Sequence, residues 1–385
     1  MKKFKFVDLF AGIGGFHQAI SELGGECVFA SEIDTYAIET YKTNFGIDSD
    51  CNICNIDVKD IPIHDVLCAG FPCQSFSIAG KREGFDDETR GTLFFEIERV
   101  LKYHTPKYII LENVKNLASH DKGKTWTIIK KHLHNVGYRL TQQPLIVSPH
   151  HFCIPQLRER VIILGLYDPD NVDKPLNIDL GELKNKDDNS IYSILDNNVD
   201  KEYNISDEEY KILNMWDEFY QGIDLDVIGF PIWFEWFKQS SQEDMSKWKK
   251  TVIKKNNDLY ERNKDFIDSW TEKWDNLEWC TPTQKKFEWQ AGNKIESLWE
   301  GLIQFRQSGV RVKAPNCFQT LVAMVQTPII GKYKRRLTVR EAARLQSFPD
   351  NFILNENKKQ AYKQLGNAVN VEVIKKSAKQ LLFNY

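Results

Sequence analysis

Short apolar runs alternate with glycine turns and amphipathic stretches along the first part of the chain. Phe6-Val7-Asp8-Leu9-Phe10 predicts a strand, Ala11-Gly12-Ile13-Gly14-Gly15 a turn, and Phe16 to Leu23 a helix. Cys27-Val28-Phe29-Ala30 predicts a second strand ending near Glu32, and Asn55-Ile56-Asp57-Val58 the end of a third. Asp65-Val66-Leu67-Cys68-Ala69 predicts a buried strand, and Tyr108-Ile109-Ile110-Leu111 another that delivers Glu112 at its end. From Ile154 to Leu164 a period of two sets Gln156, Arg158 and Arg160 on one face. Strands alternating with helices imply an α/β fold, a mainly parallel sheet with helices on both faces.

After Gly165-Leu166-Tyr167-Asp168-Pro169 the alternation stops. Lys184 to Asn204 is rich in Asn, Asp and Lys and reads as a loop or insertion. Nine of the ten tryptophans then fall between Trp216 and Trp299, enough to give this region a core of its own. Trp248, Val252, Leu259, Phe266, Trp270 and Trp274 approximate one helical face, with a break expected at Asn256-Asn257-Asp258, and core packing is their expected role. Val371 to Leu382 predicts a last helix that returns to the first sheet. The expected organisation is a discontinuous domain over 1–168 and 360–385, a smaller domain over 169–335, and a connecting segment over 336–359.

Several of these elements carry residues suited to chemistry. Gly70-Phe71-Pro72-Cys73-Gln74-Ser75 follows a buried strand, so a strand-end turn presents Cys73, and a loop rich in Gly, Ser, Lys and Asp runs on to Arg90-Gly91 as a lid would. Alone, Cys73 reads better as a buried, inert thiol, and it is the other segments that overturn that reading. The turn at Gly12 to Gly15 suits a backbone that approaches a ligand, but His17 replaces the third glycine of a dinucleotide fingerprint. A ligand with a small charged end fits better than a pyrophosphate. Glu32, 20 residues after Gly12, is placed to accept from a ribose diol, and Asp57 from an adenine amino group. Ribose and adenine without pyrophosphate suggest S-adenosylmethionine.

With these residues in place the chain resembles the cytosine-C5 DNA methyltransferases, in particular the bacterial modification methylases. The resemblance rests on ordered motifs from Phe10 to Val369 that span about half the chain. They are Asp8-Leu9-Phe10-Ala11-Gly12-Ile13-Gly14-Gly15, Gly70-Phe71-Pro72-Cys73-Gln74-Ser75, Arg90-Gly91-Thr92-Leu93-Phe94, Glu112-Asn113-Val114, Gln156-Leu157-Arg158-Glu159-Arg160, Arg336 to Gln346, and Gln364-Leu365-Gly366-Asn367-Ala368-Val369. It implies an S-adenosylmethionine-dependent, Rossmann-like sheet and a smaller target-recognition domain. Cys73 would add to carbon 6 of a flipped-out cytosine, Glu112 would act at the N3 edge, Arg160 would hold O2, and Arg158 would support the carboxylate or a phosphate. Phe10, Gly12, Glu32, Ile33, Asp57, Val58, Pro72, Leu93, Asn367 and Val369 match cofactor-contacting positions, and Gln74, Ser75, Lys81 and Arg90 match DNA-contacting ones. Ala368 departs from the family, where many relatives carry Ser. Between Asp170 and Lys334 no motif is recognised, so the DNA sequence chosen is not legible.

Composition constrains the remaining classes. A length of 385 residues with 42% hydrophobic and 27% charged suits two packed domains. The net charge of −3 sets DNA binding on local clusters, Lys247 to Lys255 and Lys332 to Arg344, although the first reads equally as a solvated helix face. Met1-Lys2-Lys3-Phe4 opens like a signal peptide, but Asp8 interrupts the apolar stretch, and no run is long enough to span a membrane. Cys51-Asn52-Ile53-Cys54 is half a zinc pattern, and no metal is expected. An amino-group methyltransferase would carry a Pro-Pro-aromatic motif, and the chain has no Pro-Pro. An oxidoreductase, an inactive DNA-binding protein and an RNA substrate are the other readings. The expectation is a cytoplasmic, monomeric enzyme of a bacterial or phage-infected cell, acting on double-stranded DNA and paired with a cognate restriction endonuclease.

Overall fold

Parallel pairing is what short, fully apolar strands joined by helices should adopt, and the first elements do so. In the computed structural model, which describes residues 3–71, 92–181, 190–224, 228–239, 244–321 and 327–385, they run β1 (Phe4–Leu9), α1 (Gly15–Ser21), β2 (Gly25–Ser31), α2 (Thr35–Phe45), β3 (Val66–Gly70), α3 (Thr92–His104) and β4 (Tyr108–Val114). β1 pairs with β2 and with β3, and β3 with β4, all in parallel. The chain continues through α4 (Asn116–Ser119), α5 (Lys124–Val136), β5 (Tyr138–Leu140), β6 (Leu145–Val147), β7 (Gln156–Leu157) and β8 (Arg160–Tyr167). β8 lies antiparallel to β4, β5 and β6 and completes a seven-stranded sheet in the order β2-β1-β3-β4-β8-β5, with β6 also on β8. Its register sets Arg160 opposite Val114, so β8 begins where the parallel strands end. Val7, Leu67, Ile109 and Val161 on one face of the sheet form a core with Ile97, Leu101, Ile129 and Leu133 of α3 and α5.

A second unit is built from α6 (Asp207–Gly222), β9 (Ile232–Trp233), α7 (Lys247–Arg262), α8 (Lys264–Lys273), β10 (Lys286–Trp289), β11 (Leu302–Arg306) and β12 (Gly309–Lys313). The chain then passes β13 (Phe318–Gln319), β14 (Ile329–Ile330) and β15 (Arg335–Arg336), and a six-stranded sheet forms in the order β15-β14-β11-β12-β10-β9. Ser206 and Glu209 cap α6 reciprocally, which starts that helix sharply. Trp216 stacks on Phe287 at 5.0 Å and donates its indole N–H to the Gln284 carbonyl, while Trp270 donates to the Met215 carbonyl. Most of the tryptophans therefore build this core, while Trp233 and Trp236 join Val252 and Ile253 in a smaller cluster and Trp248 is 58% exposed. α9 (Val339–Leu345), α10 (Lys358–Asn367) and α11 (Val371–Asn384) return to the first unit, where α11 packs on α1 and across β4 and β8. With α3 and α5 on one face and α11 against the other, the sheet is covered on both sides.

Several expected elements form differently. Asn256 to Asp258 does not break α7, because the fully buried Asn256 donates to the Val252 and Pro231 carbonyls and accepts from the Trp233 amide. The break falls instead at Asn263, whose side chain bonds the Asp224 amide and the Leu259 carbonyl. Asn55 to Val58 is not a strand. Asn52 and Asp57 cap two successive 3-10 turns, Ile53–Asn55 and Val58–Asp60. Within the Arg336 to Gln346 motif, Arg336 pairs in a strand and the helix begins at Val339.

The two compact units comprise 1–189, 319–324 and 339–385, and 190–318 with 325–338. These limits differ from the expected ones, which gave 319–324 to the smaller domain and 336–338 to a connecting segment, and they differ most over two stretches. Residues 169–189 stay with the first unit, in which the Leu176 amide donates to the Leu140 carbonyl and the Asn177 amide to the Tyr385 hydroxyl. The segment from 339 to 359 also belongs there. Asn370 donates to the Leu345 carbonyl, and Gln346 to that of Leu365.

Asp8, in the middle of β1, is fully buried, and neither carboxyl oxygen reaches hydrogen-bonding geometry among the described residues. Burial raises it well above the ordinary carboxylate value and nearby Glu32 adds to this, with the His17 backbone N–H opposing. A raised acid favours the folded state most below its unfolded value, and that advantage is lost as pH climbs to the folded value. Denaturant melts across that range should therefore show wild-type stability falling with pH and Asp8→Asn falling less steeply.

Candidate active site

The glycine turn after β1 bends through left-handed residues, with φ of 56° at Phe10, 55° at Gly12 and 88° at Gly14. The turn is fixed by Glu32. One carboxylate oxygen accepts from the Gly12 amide at 2.8 Å, and the other accepts from the amides of Ile33 and Asp34 at 2.8 and 2.9 Å. Three charge-assisted bonds thus tie the turn to the loop after β2. At Gly15 an added Cβ would come within 2.6 Å of Val369 Cγ2 and 2.7 Å of the Val369 carbonyl, so only glycine lets the loop after α10 close on the turn.

A cavity of about 450 Å³ opens at this sheet edge. Of the residues expected at the cofactor, Phe10, Gly12, Glu32, Ile33, Leu93 and Asn367 line it. Asp57 and Val58 do not. Asn52 and Ile53 stand at the wall in their place, because Glu32 forms β-bridges with Asp50 and Cys51 and the following 3-10 turns carry Asp57 onward. Val369 also stays out of the lining and packs its side chain toward Gly15 and Gly70. Sequence reasoning missed Lys363, Gln364 and Asn113. Lys363 pairs with Asp34 at 2.8 Å, and Gln364 donates to the Tyr36 carbonyl, which docks α10 on α2. These contacts join positions more than 300 apart in sequence, and no local pattern announces them.

Across the same cavity stand Glu112, Arg158 and Arg160. Arg160 Nε lies 3.0 Å from Glu112 Oε1. Burial raises the Glu112 carboxyl above its ordinary value, and the nearby Arg160 and Arg158 only partly reverse this. The resulting group can hold a proton and give it up. Asn113, next in β4, donates to the Phe71 carbonyl at 3.0 Å. Pro72, Cys73, Gln74, Ser75, Lys81 and Arg90 lie outside the described residues.

Beside its charge effect on Glu112, Arg158 has a second task. Its side chain is buried, and its guanidinium donates to the carbonyls of Leu321, Gly366 and Ala368 at 3.0, 3.0 and 2.9 Å. The corner between β7 and β8 is thereby clamped to the loop after α10. The single strand expected from Ile154 to Leu164 is interrupted at 158–159, so Arg160 opens a new strand, and Gln156 and Arg158 are buried while Leu157 is exposed.

A family model described as C-5 cytosine-specific DNA methylase matches residues 4–382. The chain belongs to that family. As a DNA cytosine-5 methyltransferase it is similar to the Type II methyltransferase M.NlaX of Neisseria lactamica, at 36% identity over 98% of this chain and 96% of that one. It also resembles the Type II methyltransferase M.AluI of Cellulosimicrobium cellulans, at 31% identity over 97% and 91%. Among solved structures, the S. pombe Dnmt2 methyltransferase shares the fold, with a TM-score of 0.53 at 19% identity over 99% of this chain and 98% of that one. Among the described residues of this methylase, no helix is long and apolar enough to cross a membrane, and no group of His, Cys, Asp and Glu gathers as a metal site.

The clamp predicts that Arg158→Lys, which keeps the charge but loses the planar fork, destabilises the fold by about 2–3 kcal/mol. Thermal melting checks this. S-adenosylmethionine affinity should fall with it, because the clamp holds Gly366 and Ala368 on either side of Asn367.

Proposed function

We propose that this methylase transfers the methyl group of S-adenosylmethionine to carbon 5 of a cytosine in double-stranded DNA, at one short recognition sequence. The observation that carries the reading is the buried Glu112–Arg160 pair facing the same cavity as the glycine turn and Glu32. That cavity fits the cofactor in chemistry. Phe10, Ile33 and Leu93 offer apolar wall for an adenine, Glu32 offers a carboxylate for ribose hydroxyls, and space at Gly12 leaves the backbone open to approach. Asn367 closes the far side. The proposed cofactor supplies a methyl group on an electrophilic sulfonium.

Carbon 5 of cytosine is too poor a nucleophile to use that methyl unaided. The Cys73 thiolate bonds to carbon 6, and the electrons of the 5,6 double bond move onto the ring, where a proton from Glu112 at N3 neutralises them. Arg160 keeps Glu112 oriented and donates to O2. After transfer, loss of the carbon 5 proton to a base, with water as the candidate, expels the thiolate and restores the ring. A stacked base hides carbon 6 from any side chain, so the cytosine must leave the duplex, and Gln74, Ser75, Lys81 and Arg90 supply DNA contacts around it. The second unit selects the sequence. The relatives' Type II names support a cognate restriction endonuclease as the partner activity, and a monomer in the cytoplasm suits the task.

Tritiated S-adenosylmethionine with unmethylated DNA, followed by bisulfite sequencing, tests the reading: label together with protection at one recurring sequence is expected, and label without protection would refute carbon 5 chemistry. Cys73→Ser should abolish turnover while leaving DNA and cofactor binding in place. Glu112→Gln should lower kcat by at least about 100-fold. Because the Glu112 carboxyl is raised and must give a proton, wild-type activity should decline as pH rises through its value, and the residual activity of Glu112→Gln should lack that limb.

A further inference from the structure

α7 breaks a rule that helices usually obey. Its first eleven residues, Lys247 to Asn257, contain five lysines and no acid, and its first turn has no carboxylate. The positive end of the helix dipole repels cations there, so folding alone would favour Asp or Glu. Sequences that depart from a local rule in this way do so at functional positions.

Three of these lysines share one exposed side with Asp258, whereas Lys249 falls among the buried positions and, like Lys250, is half-buried. Lys247, Thr251, Lys254 and Lys255 are all exposed and recur at the spacing of a single helical face. Val252, Ile253, Asn256, Leu259 and Tyr260 bury the other face in the second unit's core. Trp248 borders the lysine face with its indole 58% exposed, held edge-on at 6.5 and 6.4 Å against Trp233 and Trp236. A large aromatic left in water beside four positions of a basic stripe is costly for a folded monomer and useful to a nucleic-acid surface. On the opposite border the stripe runs into an open concavity of about 880 Å³ whose lining includes Lys238, Lys250, Lys254, Gln239, Asn257 and one acid, Glu261. The side-chain oxygens of Gln239 and Asn257 are buried without a partner among the described residues, so the concavity also holds acceptors for bound water or a donor. All this stands on a chain whose net charge is −3.

We propose that the exposed face of α7 is a sequence-independent anchor for the phosphates of duplex DNA flanking the recognition site. It rests on the proposed DNA methylation and adds a division of labour, in which α7 sets affinity and salt dependence on long DNA without taking part in site choice or chemistry. Lysines at these positions neutralise phosphates and release counterions, and Trp248 covers the adjoining sugar edge.

The test compares wild type with K247Q/K254Q/K255Q and with W248A, titrating a 12-bp duplex that holds only the mapped site and a 40-bp duplex centred on it, from 50 to 200 mM KCl. Glutamine keeps helix propensity, and K247R/K254R/K255R keeps the charge. On the long duplex the glutamine variant should lose about two to three units of the slope of log K against log salt and bind roughly tenfold more weakly at the higher salt. W248A should weaken long-duplex binding with an unchanged slope. The arginine variant should match wild type, and the bisulfite pattern and kcat at saturating DNA should not move. An unchanged slope in the glutamine variant, or equal losses on both duplexes, would overturn the anchor. Wild-type methylation with an unaltered glutamine variant would sink only this inference, whereas an inactive wild type would sink the reading beneath it. An acidic protein on the same face is the occupant left if the slope does not change.

Discussion

Seven ladder positions join β4 to β8 in opposite directions, from Tyr108 opposite Leu166 to Val114 opposite Arg160. A parallel β8 would begin at the far edge of the sheet and carry its arginine away from Glu112. Antiparallel pairing instead starts β8 beside the end of β4, and strand register then fixes the Glu112–Arg160 separation at 3.0 Å without help from any loop. Ligands of open α/β sheets gather at the carboxyl ends of the strands. Here an arginine reaches that edge from a strand's amino end.

Holding a carboxylate and two guanidinium groups beneath an apolar sheet carries a desolvation penalty, and the surroundings show how it is offset. Arg158 gives its donors to three backbone carbonyls, so its burial serves two loops distant in sequence. Arg160 and Glu112 partly satisfy each other. The incomplete compensation at Glu112, where burial outweighs two nearby positive charges, keeps that carboxyl above its ordinary value. A better-solvated pair would be more stable and less useful.

Much of this was legible beforehand because local rules and global structure agree there. Apolar runs with glycine turns placed β1, β3 and β4, and period two found the inward row Gln156 and Arg158, though it could not say that the polar side faces the core. That outcome depends on carbonyls at Leu321, Gly366 and Ala368, which no window around Arg158 contains. Asp57 stays out of the cavity lining for a similar reason. Its carboxylate is spent on the Lys59 amide as a helical cap, a use as natural for Asp as a ligand contact, and only the bridge from Glu32 to Asp50 and Cys51 decides which residues face the cavity. In the second unit the tryptophan count announced a core but could not separate Trp270, buried to 1%, from Trp248 at 58%.

Trp248 and the lysines of α7 also show where sequence pattern carries more than it first yields. Read linearly, Lys247 to Lys255 is a charge run with a solvated face as an equal explanation. Read on the helix, with Val252, Ile253 and Asn256 committed to the core, Lys247, Lys254 and Lys255 occupy the one face that packing does not need. A merely solvated face gains from mixed charge, through i,i+4 pairs and acids near the amino end. α7 has neither in its first three turns, so its composition opposes helix stability as well as the chain's net negative balance. Stability of the helix must then come from the buried side, where Asn256 spans Val252, Pro231 and Trp233. The exposed side is thereby released from structural duty, and a polyanion is the partner whose charge would relieve its repulsion.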